Sequence, residues 1–311
     1  MLDMGARASI ATVESFAGRP RAIPLADAPS HSMAVLTGVI MQKTDYVFDY
    51  SQSEIERLKC QSEMLSPITE RLLHSAGVTS GMRVLDIGCG VGDVTILAAD
   101  LVGPRGRVIG IDRDATVIDA ARKRLSDLGF SNVDLQQHDL EAYDGPGDFD
   151  AAVCRYVLMH QTDPVPLLKA VKALVRAGGV VAVHEMDPTR GVQSNPRVPL
   201  LHQLETLMLT AFSQMGTAIN AGGCLVKLFV DAGMPARIYS PRRLSKAARI
   251  HCMVPWFTAT MRGVLPRLIA SGVVSEDEIA NEELKEQLRQ AVVESRSQIE
   301  FAPQMCAWTQ V

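Results

Sequence analysis

This chain of 311 residues has no long hydrophobic run. Its most apolar stretch near the start, Met33–Met41, falls well short of the about 20 residues that span a bilayer. That stretch also lacks the basic lead and small-residue cleavage pattern of a signal peptide. The expectation is a soluble, cytoplasmic protein without a membrane partner. Lysine and arginine form no block, and the net charge is −4 with a pI near 6.0, which argues against a nucleic-acid partner. The six cysteines (60, 89, 154, 224, 252 and 306) are scattered without a C-x-x-C pair. They read as free thiols, not as a zinc or disulfide framework. H-E-x-x-H spacing is absent, so no metal is expected. There is no internal repeat.

What is present is ordinary globular composition, 47% hydrophobic and 21% charged. Residues 1–44 show no sustained periodicity and read as a poorly ordered tail with a short helix around Met33–Lys43. Residues 45–80 read as two short helices, the first behind a Ser51/Glu54 capping box and the second with Pro67 near its start. Strands and helices then alternate through residues 81–243. The strands are "RVLDIG", "GRVIGID" (106–112), "NVDLQQHD" (132–139), "FDAAVCRY" (149–156) and "GVVAVHEM" (179–186). A helix follows Asp114, with Val117, Ala121, Leu125 and Leu128 on one face, and "DPVPLLKAVKALVRAGG" forms another behind an Asp163 N-cap. This alternation predicts an α/β, doubly wound, mostly parallel sheet. An inserted helix is expected within 195–219 and another at "GGCLVKLFVDAG", with a strand at 236–241. A helical lid is expected over 244–297, including a Ser275/Glu278 capping box, and a final strand over 298–311.

The loop "VLDIGCGVGD" carries the chemistry. A dinucleotide fingerprint is G-x-G-x-x-G, but here the glycines are Gly88, Gly90 and Gly92, and Asp93 takes the third fingerprint position. Carboxylates at Asp86 and Asp93 would repel a pyrophosphate, and no P-loop lysine follows. The loop suits a ligand that approaches the backbone closely and carries positive charge, as S-adenosylmethionine does. Asp112 ends the second strand, where a carboxylate can accept from both hydroxyls of a ribose. Asp139 and Leu140 follow the third strand, where they could meet an adenine amino group and ring.

"VLDIGCGVGD", "VIGID", "QHDLE", "FDAAVCRYVLMH" and "LVRAGGVVAVHE", in this order, resemble the class I S-adenosylmethionine-dependent methyltransferases of the small-molecule, natural-product type. The resemblance covers Val84 to about Glu185. It implies a seven-stranded sheet of order 3-2-1-4-5-7-6 with the last strand antiparallel. It further implies S-adenosylmethionine as cofactor, held by Gln61, Asp86, Gly88, Cys89, Gly90, Gly92, Asp112, Arg113, Asp139, Leu140 and Arg155.

The loop after the fourth strand faces the transferable methyl in that fold, which makes His160 the candidate general base, titrating near neutrality. His184, Glu185 and His202 stand in reserve. Tyr46, Tyr50, Tyr156, Met159, His184, Met208, Phe212 and Trp256 are the candidate substrate contacts, with Phe48, Met215, Phe257 and Met261 as further apolar wall. A helical lid rich in Met and aromatic residues favours a bulky hydrophobic small molecule. Two alternatives stand beside O- or N-methylation. One is methylation of an isoprenoid or indole carbon through a carbocation, and the other is a non-catalytic module that binds S-adenosylmethionine. Homo-oligomerisation is left open.

Overall fold

The structure is a computed structural model describing residues 52–140, 143, 147–241, 250–274 and 283–311. The expected Met33–Lys43 helix, the Ser51 and Ser275 capping boxes, and Tyr46, Phe48 and Tyr50 lie outside the described residues.

Nine strands are described: β1 Arg83–Ile87, β2 Arg107–Asp112, β3 Val133–Gln137, β4 Phe149–Arg155, β5 Val175–Met186, β6 Gln193–Asn195, β7 Arg237–Tyr239, β8 Gln298–Glu300 and β9 Gln304–Gln310. The helices are α1 Gln52–Ala76, α2 Asp93–Val102, α3 Ala115–Asp127, α4 Pro164–Leu174, α5 Pro199–Ser213, α6 Leu225–Asp231, α7 Ile250–Ala270 and α8 Glu283–Ser295. Seven strands form one sheet in the order β3-β2-β1-β4-β5-β9-β7. β9 is antiparallel to both its neighbours, so β7 runs with the other strands. Counted within this sheet alone, the order is the expected 3-2-1-4-5-7-6.

The central strands are buried on both faces, as parallel strands covered by helices must be. In β4, Ala151 and Val153 pack in one apolar cluster with α1 and α2, while Ala152 and Cys154 face the other. That second cluster is the larger. It joins the sheet to Met208 and Phe212 of α5, Trp256, Phe257 and Met261 of α7, and Leu288 of α8. The helices that have no place in a minimal sheet therefore share one core with it.

Four elements differ from the sequence reading. The two expected N-terminal helices are a single α1 with Pro67 inside it. Leu58, Leu65 and Leu72, spaced seven apart, are all buried, and this continuous apolar face outweighs the hydrogen bond that proline removes. α4 ends at Leu174 instead of running to the glycines, because Val175 pairs with Phe149 and starts β5. Leu128 is exposed, and the buried face of α3 stops at Leu125. A second sheet of two short strands, β6 and β8, was not anticipated.

Candidate active site

The glycine loop leaves β1 at the carboxyl edge of the sheet. Gly88 and Gly90 adopt φ of 64° and 54°, which side-chain-bearing residues rarely tolerate. A Cβ on Gly88 would lie 2.7 Å from Val157 Cγ2, so this glycine also lets the turn after β4 press onto the loop. A Cβ on Gly90 would meet nothing within 4 Å, so the space beside that backbone is open. Gly90 N–H donates to Asp112 Oδ2 at 3.0 Å, and Asp114 N–H donates to Asp112 Oδ1 at 3.1 Å. Each Asp112 oxygen keeps a lone pair for a further donor. Burial pushes the Asp112 carboxyl upward, and these two N–H groups oppose that shift.

Asp86 is buried and accepts from Thr95 Oγ1 at 2.6 Å. Burial pushes it up to about 7, against the Thr95 hydrogen bond and the Arg155 guanidinium. Cys89 is buried, which drives its thiol well above its usual range. Leu140 is buried, Asp139 is half-buried and Arg113 is exposed. The Gln61 side-chain oxygen accepts from Arg57 and from Trp256 Nε1, both at 3.0 Å. This link ties α1 to α7 and leaves the Gln61 amide N–H₂ as the free donor. The donor and acceptor set fits a zwitterion better than a pyrophosphate. Open backbone and the carboxyl groups of Asp86 and Asp112 line the loop, with no lysine among them.

Asp93 needs a correction. It does not confront a ligand with uncompensated charge, because Arg124 Nη1 lies 2.6 Å from Oδ1 and Arg155 Nη2 lies 3.2 Å from Oδ2. The case against a dinucleotide therefore rests on Asp86 and on the missing third glycine of the fingerprint. Arg155, expected to contact the cofactor, is buried and bonds Asp93 and, at 3.4 Å, Thr69 Oγ1.

Beyond β4, Tyr156 takes φ of 58° and turns the chain into a single helical turn, Leu158–His160. Met159 is buried in the larger apolar cluster. Half-buried His160 is pushed down to about 4, first by burial and then by the Arg57 and Arg113 guanidiniums. It is neutral at pH 7, and it is a weaker base than the sequence suggested.

His184 is fully buried, with Nδ1 2.9 Å from Thr69 Oγ1 and Nε2 3.0 Å from Gln304 Oε1. Both ring nitrogens are engaged, and burial pushes the ring down to about 3, which keeps it neutral at pH 7. Tyr156 donates its hydroxyl to the same Gln304 oxygen at 2.8 Å. His202 bonds Ser194 Oγ at 3.0 Å and lies 3.5 Å from Glu205, which occupies it structurally. Met208, Phe212 and Trp256 are buried in the apolar cluster shared by sheet and cap.

A family model described as a methyltransferase domain matches residues 78–225. The chain carries a class I S-adenosylmethionine-dependent methyltransferase domain. The ubiquinone/menaquinone biosynthesis C-methyltransferase UbiE of Pseudomonas syringae pv. tomato is 29% identical over 243 residues, which is 72% of this chain and 91% of that one. The aklanonic acid methyltransferase DauC of a Streptomyces species is 35% identical over 136 residues, 43% of this chain and 61% of that one. The crystal structure of the Bacillus YcgJ protein superposes with a TM-score of 0.50 at 16% identity, covering 78% of this chain and 98% of that one, and shows the shared fold.

The methyltransferase domain uses S-adenosylmethionine as methyl donor and acts on a small molecule, which sets aside the non-catalytic alternative. No helix among its described residues is long and apolar enough to cross a membrane. Three residues around the site escaped sequence reasoning: Arg57 bonded to Gln61, Thr95 to Asp86, and Gln304 to Tyr156 and His184. Thr95 lies one helical turn past Gly92 and could have been proposed from that spacing. Gln304 could not, because its partner His184 is 120 positions away.

Proposed function

We propose that this methyltransferase acts on a bulky, largely apolar small molecule of secondary metabolism, in the cytoplasm. The observation that carries the reading is the single apolar cluster joining the strand ends to Met208, Phe212, Trp256 and Met261 of the cap helices. A cap of that composition excludes water and offers a polar substrate few partners. The names of the relatives, which act in quinone biosynthesis and on aklanonic acid, support the same class.

Bound S-adenosylmethionine supplies an electrophilic methyl group. Asp86 and the Gly88–Gly92 backbone, with Cys89 between, would hold its methionine end, and the Gln61 amide its carboxylate. Asp112 would accept from the ribose with Arg113 beside it, and Asp139 and Leu140 would take the adenine.

Carbon is the favoured acceptor, on the evidence of His160. A histidine pushed down to about 4 is a poor base for a hydroxyl or an ammonium. It is still strong enough to take a proton from a carbocation left by methylation of an alkene or an aromatic ring. Trp256 of α7 and Phe301 after β8, packed edge-on with ring centroids 4.8 Å apart, are aromatic rings that would stabilise such a cation if it reached them. Methylation of an isoprenoid or indole carbon fits these features. Mass spectrometry of products from quinols, prenylated indoles and hydroxylated polyketides tests it. A new carbon-bound methyl supports the reading, and methylation confined to oxygen or nitrogen overturns the carbon assignment.

A further inference from the structure

Glu185 ends β5 with its side chain fully buried. Its Oε1 accepts from Val157 N–H at 2.8 Å and from Leu158 N–H at 2.7 Å. Its Oε2 is buried with no hydrogen-bond partner among the described residues. Burial pushes this carboxyl up to about 8, against the opposing hydrogen bonds of the Leu158, Val157 and Met159 amides.

Those amides open the turn that carries Met159 and His160. The turn closes on itself through His160 N–H to Val157 O at 3.2 Å and Gln161 N–H to Leu158 O at 3.0 Å. It starts from Tyr156 in the left-handed region, a conformation that persists only where the surroundings impose it. Without the Glu185 oxygen these two consecutive N–H groups would lose their acceptor, so an apolar residue at this position would not hold the same path. The turn also reaches the glycine loop, because Val157 Cγ2 occupies the space that a Cβ on Gly88 would need.

We propose that Glu185 is the positioning residue of the active-site turn: its carboxyl oxygen, held by the Val157 and Leu158 amides, keeps Val157 against Gly88 and sets His160 at the strand ends. Acting through those residues, it touches neither substrate nor cofactor. The proposal rests on the methyltransferase reading only in taking the Gly88 loop as the cofactor loop.

The test compares the full chain with Glu185→Gln, which keeps an acceptor oxygen, Glu185→Met, which keeps volume but no acceptor, and Val157→Ala. Hydrogen exchange of the peptide spanning 155–162 and calorimetric titration with S-adenosylhomocysteine are the two readouts. Glu185→Met should speed exchange in that peptide and weaken S-adenosylhomocysteine binding, each about tenfold, with the sheet unchanged. Glu185→Gln should rescue both. Val157→Ala should weaken binding several-fold without faster exchange, which keeps the test decisive if Glu185→Met fails to fold. Native exchange in Glu185→Met, loss in Glu185→Gln equal to that in Glu185→Met, or native affinity in Val157→Ala would each overturn the proposal. A native chain that binds no S-adenosylhomocysteine would instead sink the cofactor reading, and the exchange arm would still decide the role of Glu185.

Discussion

Trp256 donates its indole N–H to the Gln61 side-chain oxygen at 3.0 Å, joining the cap helix α7 to the N-terminal helix α1. The same oxygen accepts from Arg57, so one amide fixes both the cap and the guanidinium beside His160. Trp256 also packs edge-on against Phe301 and Phe257. Trp256→Phe should therefore cost about 0.5–1.5 kcal/mol for the hydrogen bond, and Trp256→Ala about 3–5 kcal/mol for the cavity as well. Urea denaturation of the full chain measures both. A loss below about 1 kcal/mol for Trp256→Ala would show that the cap does not depend on this anchor.

Asp112 serves the loop as well as the ligand, since it holds the Gly90 and Asp114 amides. Asp112→Ala should weaken S-adenosylmethionine binding by roughly 1.5–3 kcal/mol, and Asp112→Asn, which keeps one acceptor, by less. Calorimetry on the folded variants checks this, and unchanged affinity in Asp112→Ala would remove the residue from the site.

Asp86 should make cofactor binding pH-dependent. Its carboxyl sits near 7 in the free protein, so part of the population is protonated at neutral pH. A cationic ligand favours the ionised form. Binding should therefore release a proton below about pH 7, and affinity should fall by up to about tenfold per unit as pH drops further. Calorimetry in buffers of different ionisation enthalpy reads the proton directly. Asp86→Asn should abolish the release, and an equal release in that variant would assign the proton to another group.

His160 should show no limb near neutrality. With its pKa near 4, turnover at saturating S-adenosylmethionine should fall through His160 protonation only as pH approaches that value. His160→Gln should lower turnover by about 10²-fold or redirect the product, with cofactor affinity intact. A limb centred near 7 that disappears in the variant would show a histidine far more basic than its surroundings allow.

The sheet was legible because its evidence is local. Val84, Leu85 and Ile87 form a continuous buried run, Gly88 and Gly90 mark a turn that only glycine makes easily, and Asp163 followed by Pro164 opens α4 as expected. Interactions between distant segments were not legible. Asp93 looked like a bare carboxylate because its partners Arg124 and Arg155 lie 31 and 62 positions away. His184 looked like a candidate base because Thr69 and Gln304, 115 and 120 positions away, leave no local signature. The α4 boundary was misplaced for the same reason: "VRAGG" resembles a helix end until Val175 finds Phe149 on β4.

The measurement closest to the central claim is methyl transfer from S-adenosylmethionine labelled in its methyl group. The full chain is incubated with a panel of apolar acceptors (quinols, prenylated indoles, hydroxylated polyketides) and with polar controls (amines, a peptide, DNA), followed by mass spectrometry. The expected result is label on an apolar small molecule, bound to carbon, and none on the controls. Label on an amine, the peptide or DNA, with no apolar product, would contradict the account.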